Sequence, residues 1–150
     1  MMRAALIALV IGSALAVGGC GSSTRAGGDP GNKRLHALRS DAVFASAPPG
    51  ARAVETRESK ARYRKPGFDA GGWDGPSVVV SFRSSAPPAD VFGYYARRAE
   101  AAGWKETAKG ALDLADRWAK TFPGNAPATL LLTRLGEARY QVSGSIALAG

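Results

Sequence analysis

Apolar and polar positions divide the chain into stretches of different period. From Ala4 to Val17 it is apolar except for Gly12 and Ser13, and then polarity returns. Gly21 to Gly31 carries no apolar side chain larger than Ala, a composition that fits a flexible tether. Helical spacing begins after it. Leu35, Leu38 and Ala42, closed by Val43 and Phe44, predict a short helix over Lys33–Phe44 that ends before Pro48-Pro49-Gly50. Ala51 to Lys65 alternates small or charged residues with little apolar content, which predicts a strand at a sheet edge with a polar outer face. Pro66 to Pro76 is too rich in Gly and Pro for regular structure, so Phe68 and Trp73 are expected to pack back on the core, the alternative being that they line a mouth.

The second half is more regular. Ser77 to Arg83 holds three consecutive valines, which predicts a central strand buried on both faces. A turn through Pro87-Pro88 leads into a helix over about 87–102, with Val91, Tyr95, Ala99 and Ala102 on one stripe widened by Phe92 and Ala96. Asp90 in its first turn and Arg97 and Arg98 toward its end suit the helix dipole. Gly103 offers a left-handed stop from which Trp104 can fold back on the last turn. Trp104–Lys109 starts a second strand, and Ala111–Ala115 suits either a helix or an extended chain. Arg117–Phe122, Thr129–Leu135 and Arg139–Leu148 read as strands joined by turns at Pro123-Gly124-Asn125 and Gly136-Glu137-Ala138, an antiparallel meander. The sum is an α+β domain: a four- or five-stranded, mainly antiparallel sheet, the 87–102 helix on one face and a short N-terminal helix.

Composition narrows the chemistry. The chain of 150 residues has one Cys and one His, so the common zinc sites and a disulfide framework lack their residues. His36, among Lys33, Arg34 and Arg39, has neither a second His nor a carboxylate at a helical partner spacing, and reads as a surface residue. A Ser-His-Asp arrangement would depend on that same His36 near the tether. Asp69, Asp74, Glu100, Glu106, Asp113 and Asp116 stand in no paired-carboxylate signature, and the Gly67–Gly75 run lacks the Lys of a phosphate loop. The expectation is a protein without catalytic residues, cofactor or metal.

The apolar start has a specific meaning. Arg3, the apolar run and the small residues before Cys20 have the layout of a secretory signal peptide. Ala4–Gly19 is shorter than the roughly 20 residues needed to span a bilayer. Val17-Gly18-Gly19-Cys20 resembles the lipobox of bacterial lipoproteins. The resemblance implies removal of residues 1–19, lipidation of Cys20, and anchoring to the outer face of a bacterial cell membrane or another envelope membrane. It divides the chain into a signal peptide (1–19), a tether (20–32) and one domain (33–150). A second, structural likeness lies in Asp90-Val91-Phe92-Gly93-Tyr94-Tyr95 followed by Ala102-Gly103-Trp104. This pattern resembles small uncharacterised lipoproteins of high-GC bacteria over about 77–148 and implies no catalytic residue.

Charge then takes its meaning from location. The net charge is +8, and +7 once Arg3 is removed. Outside the membrane such a surface is expected to meet anionic lipid head groups or phosphate-bearing wall polymers rather than nucleic acid, and a solvated basic surface with no specific partner accounts for the same charge. Two functions follow as expectations. One is an envelope interaction module that docks on a protein or an anionic polymer, with Arg57, Lys60, Arg62 and Arg64 as anionic-surface contacts; plain edge protection accounts for the same four charges. The other is a small carrier, with Phe82, Tyr94, Trp104 and Trp118 lining an apolar cavity between sheet and helix for a lipid-like ligand.

Overall fold

A computed structural model describes residues 30–65 and 72–148. Helix α1 (Pro30–Arg39) and a single 3-10 turn over Ala42–Phe44 precede the first strands. Six strands form one antiparallel sheet: β1 (Arg52–Ser59), β4 (Ser77–Arg83), β5 (Lys105–Lys109), β6 (Ala115–Phe122), β7 (Ala126–Gly136) and β8 (Arg139–Ile146), in the spatial order β1-β4-β8-β7-β6-β5. Two short strands, β2 (Arg62–Arg64) and β3 (Gly72–Asp74), pair with each other as a separate ribbon inserted between β1 and β4. Helix α2 (Pro88–Ala101) carries the chain from β4 to β5, across the width of the sheet. The α+β class and the main helix agree with expectation, but the sheet has six strands rather than four or five.

The difference has a local cause. The stretch expected as one edge strand through Lys65 stops at Ser59, and the chain re-pairs from Arg62 with a segment expected to be irregular. There Trp73 does not pack back on the core: it is 58% exposed and meets Tyr63 edge to face at 5.5 Å. Phe68 lies outside the described residues. At the far edge, β5 has no apolar alternation and every residue exposed, so pairing with β6 alone defines it.

Alternation sorts the sheet into two faces. Val78, Val80 and Phe82 of β4, Tyr140, Val142 and Ile146 of β8, Leu130 and Leu132 of β7, and Trp118 and Phe122 of β6 are buried. They pack with Val91, Phe92, Tyr95 and Ala99 of α2 and Leu35, Leu38 and Val43 of the N-terminal segment in one core. Among the described residues only this face is covered. Val79, expected to be buried like its neighbours, is half-buried on the other face, because β4 is interior to the sheet but not sandwiched. Burial pushes the Tyr95 hydroxyl well above its ordinary range, nearby Tyr94 adds to the rise, and Arg98 opposes it.

Three devices hold the helical layer down. Gly144 stands where a Cβ would come 2.5 Å from the Phe44 ring and 3.1 Å from Leu38 Cδ1, so its lack of a side chain lets the N-terminal segment approach β8. Arg98 Nε donates to the Ala42 carbonyl at 2.7 Å, and its Nη1 donates to the Tyr94 hydroxyl at 3.2 Å. α2 ends as expected, Gly103 adopting φ +81° and the Trp104 N–H donating to the Ala99 carbonyl at 2.9 Å.

The third device is a buried polar node. Asp41 Oδ1 accepts from the Val43 N–H and from Trp104 Nε1, both at 3.1 Å, and Oδ2 accepts from Lys120 Nζ at 2.7 Å. Lys120 also donates to the Ala102 carbonyl at 2.7 Å and lies 4.8 Å from the Phe122 ring centroid. One carboxylate therefore joins the N-terminal segment, the exit of α2 and β6. Asp41→Ala removes the carboxylate that faces a largely buried ammonium and is expected to cost about 3–5 kcal/mol. Asp41→Asn, which still accepts from Val43 and Trp104, should cost less. Chemical denaturation of the two variants beside wild type measures the difference, and equal losses would show that the charge contributes nothing.

Candidate anionic-contact surfaces

The four residues expected to meet an anionic surface do not form one face. Arg57 belongs to β1, where its guanidinium pairs with Glu55 at 3.5 Å. Arg62 and Arg64 belong to the ribbon, where both reach Asp74, at 3.3 and 3.5 Å. Lys60 sits between the two sheets, exposed, beside a cleft of about 470 Å³ lined also by Ser59, Arg62, Asp74, Gly75 and Ser77. Glu55 and Asp74 thus offset part of the expected charge, and what remains is concentrated on the ribbon.

The ribbon combines that charge with apolar surface. Tyr63 is 55% exposed, and its ring and that of Trp73 pack on each other across the strand pair. Arg62 lies opposite Asp74 and Arg64 opposite Gly72, so alternation puts both arginines with Asp74 on the face of the ribbon away from the aromatic pair. The base of the ribbon is fixed to one end of the main sheet: the Ile146 N–H donates to the Pro76 carbonyl at 3.1 Å. At that same end Arg34 of α1 donates to the Ala147 carbonyl at 3.2 Å. The ribbon and the start of α1, and with it the junction to the preceding 29 residues, therefore share one end of the domain.

The opposite end holds a feature that residue pattern alone could not reveal. Arg52 of β1 lies directly opposite Arg83 of β4, and Arg83 directly opposite Arg139 of β8. All three are exposed at strand ends, on the uncovered face. Each Arg is visible in the sequence, but which strands are neighbours, and in what register, is not.

The expected apolar lining is dispersed through the core. Phe82 stacks on Tyr140 at 5.5 Å and Trp104 meets Phe122 at 5.9 Å. Tyr94 is half-buried at the margin of the core beside Tyr95, and its hydroxyl shares a hydrogen bond of 3.0 Å with Ser46 Oγ. Trp104 and Trp118 are brought together at an open groove of about 360 Å³, lined also by Ala96, Glu100, Lys105 and Glu106. Cys20 lies outside the described residues, as does Asp69. His36 is exposed on α1. Among the described residues no three His, Cys, Asp or Glu side chains stand close enough to hold a metal ion, and no helix is long and apolar enough to cross a membrane.

No family model, curated protein or solved structure matches the chain.

One carboxylate has a clear electrostatic signature. Burial pushes the Asp116 carboxyl above its ordinary range, opposed by the Gly110 N–H that donates to Oδ1 at 3.1 Å. A raised carboxyl pKa means that the folded state loses stability as pH rises through the folded value, because ionisation costs more there than in the unfolded chain. Asp116→Asn keeps the acceptor for Gly110 and removes that cost. Thermal melts should show the variant more stable than wild type at pH 7, with the gap closing below pH ~3.8, where both forms are neutral. A gap that persists in acid would assign the effect to packing instead.

Proposed function

We propose that the protein is a membrane-anchored extracytoplasmic lipoprotein that acts as a non-catalytic interaction module of the cell envelope, held by a lipid on Cys20. The observation that carries this reading is the position of the β2–β3 ribbon. An exposed Tyr–Trp pair covers one face of a ribbon that carries arginines on its other face, and it stands at the end of the domain where α1 begins. Trp and Tyr favour the boundary between head groups and hydrocarbon, where one edge of the ring is wet and the other apolar. Basic residues near an anionic leaflet gain up to about 1 kcal/mol each, and the ribbon and its base supply Lys60, Arg62 and Arg64, the two arginines partly offset by Asp74. Cys20 is followed by nine residues before Pro30, a tether of about 17 Å on average if flexible. That reach lets the ribbon rest on the bilayer that the anchor enters. The lipid supplies the affinity and the ribbon the orientation, so the rest of the domain is presented outward to a partner.

The test separates the two contributions. The processed chain from residue 20 onward, with Cys20→Ser, is mixed with vesicles of phosphatidylcholine alone or with phosphatidylglycerol at about one lipid in three. Binding is expected on the anionic vesicles and should weaken as salt shortens the Debye length from about 10 Å toward 3 Å. Replacing Tyr63 and Trp73 together with Ser should lower vesicle affinity about tenfold, equivalent to about 1.4 kcal/mol. Unchanged affinity in that variant would sink the membrane-resting ribbon.

A further inference from the structure

We infer that the cross-strand row Arg52–Arg83–Arg139 is a binding site for a linear polymer bearing phosphate groups. The inference extends the interaction-module reading to a ligand class, and rests on it for the position of the bilayer.

The row is unfavourable for the fold by itself. Like charges directly opposite on neighbouring strands destabilise a sheet, and here the juxtaposition occurs twice in succession. Among the described residues none of the three guanidinium groups makes an ion pair, although Arg39, Arg57, Arg62 and Arg64 all do. Glu55, one row along on β1, is engaged by Arg57, and Glu137 in the β7–β8 turn stands beyond ion-pair distance. Edge protection explains a charged β1 but not Arg83 or Arg139, which belong to interior strands.

The geometry suits phosphate. Neighbouring strands lie about 4.8 Å apart, so the three Cα atoms span about 10 Å along the hydrogen-bonding direction. At that spacing adjacent guanidinium forks can share one phosphate or take successive ones. Arg presents planar paired donors that match phosphate oxygens bidentately, and all three positions are Arg rather than Lys. On its other side Arg139 faces Gly136, and its guanidinium rests over that glycine, with Nη2 3.7 Å from where a Cβ would stand.

Position argues for a polymer and against the head groups of the anchoring membrane. Arg139 begins β8, and Ile146 ends it beside the ribbon base and α1. Seven steps of strand put the row about 23 Å from that end. This is more than twice the Debye length of about 10 Å at 0.1 M salt, so the row is screened from the leaflet on which the ribbon rests.

The protein, purified at full length from its membrane in non-ionic detergent, is titrated with a synthetic glycerol-phosphate oligomer carrying a fluorophore. Three variants are compared: Arg52→Ser/Arg83→Ser/Arg139→Ser, Arg62→Ser/Arg64→Ser, and Arg83→Lys. The triple variant should lose about tenfold or more in affinity and flatten the salt dependence, while Arg83→Lys loses a few-fold because an ammonium cannot bind bidentately. Arg62→Ser/Arg64→Ser should stay within about twofold of wild type. Thermal melts should show the triple variant at least as stable as wild type, since it removes only repulsion. The site is overturned if wild type does not bind the oligomer, if the triple variant binds as well as wild type, or if the ribbon variant loses as much. Equal affinity for polyglutamate overturns the phosphate assignment. Vesicle binding of the triple variant is measured in parallel: retention there with loss of oligomer binding supports two separate ends, and loss of both overturns the separation.

Discussion

Everything above the sheet depends on where the Asp41 carboxylate goes. It is buried, yet all its neighbours are donors: a backbone N–H at the start of the 3-10 turn, an indole N–H and an ammonium. A charge in that position is tolerated only when paired and hydrogen-bonded, and the pairing in turn fixes three separate chain segments. Lys120 places the node over β6, Trp104 ties the exit of α2 to it, and Val43 ties the N-terminal segment. The hydrophobic contacts of the same layer have no such directionality. They would accept a helix shifted along its groove, whereas a carboxylate with three donors accepts one placement.

Much of the fold was legible because it is written in local chemistry. Val91, Phe92, Tyr95 and Ala99 lie on one helical stripe, Gly103 supplies the left-handed stop, and the turns around β6, β7 and β8 carry Gly, Pro and Asn where the chain reverses. What stayed hidden was pairing. Gly72-Trp73-Asp74 becomes a strand only because Arg62-Tyr63-Arg64 lies beside it, and Lys105–Lys109 only because β6 does. Neither segment has an apolar face that would announce it. The valines of β4 misled for a related reason. A continuous apolar run signals burial on both faces when a second layer exists, and here helices cover only one face.

The candidate surfaces show the same division. The excess of basic residues is plain in the composition, and Arg57, Lys60, Arg62 and Arg64 stand out because they are close in sequence. The fold separates Arg57 from Arg62 and Arg64 and partners all three with acids. It then assembles a different group from Arg52, Arg83 and Arg139, residues far apart in the chain, which form no ion pair among the described residues. Asp41 was equally hidden: an acidic residue before Ala42-Val43-Phe44 marks a helical cap, but nothing local connects it to Lys120.

The order of strands also has a temporal meaning. β4 and β8 are neighbours in the sheet but lie at opposite ends of its second half in sequence, with α2 and the other strands between them. Until β8 has been delivered, β4 has only an edge strand for company and the meander has no attachment to it. Contacts of such long range close slowly, and they close together. A chain built this way completes its sheet only when its last strand arrives.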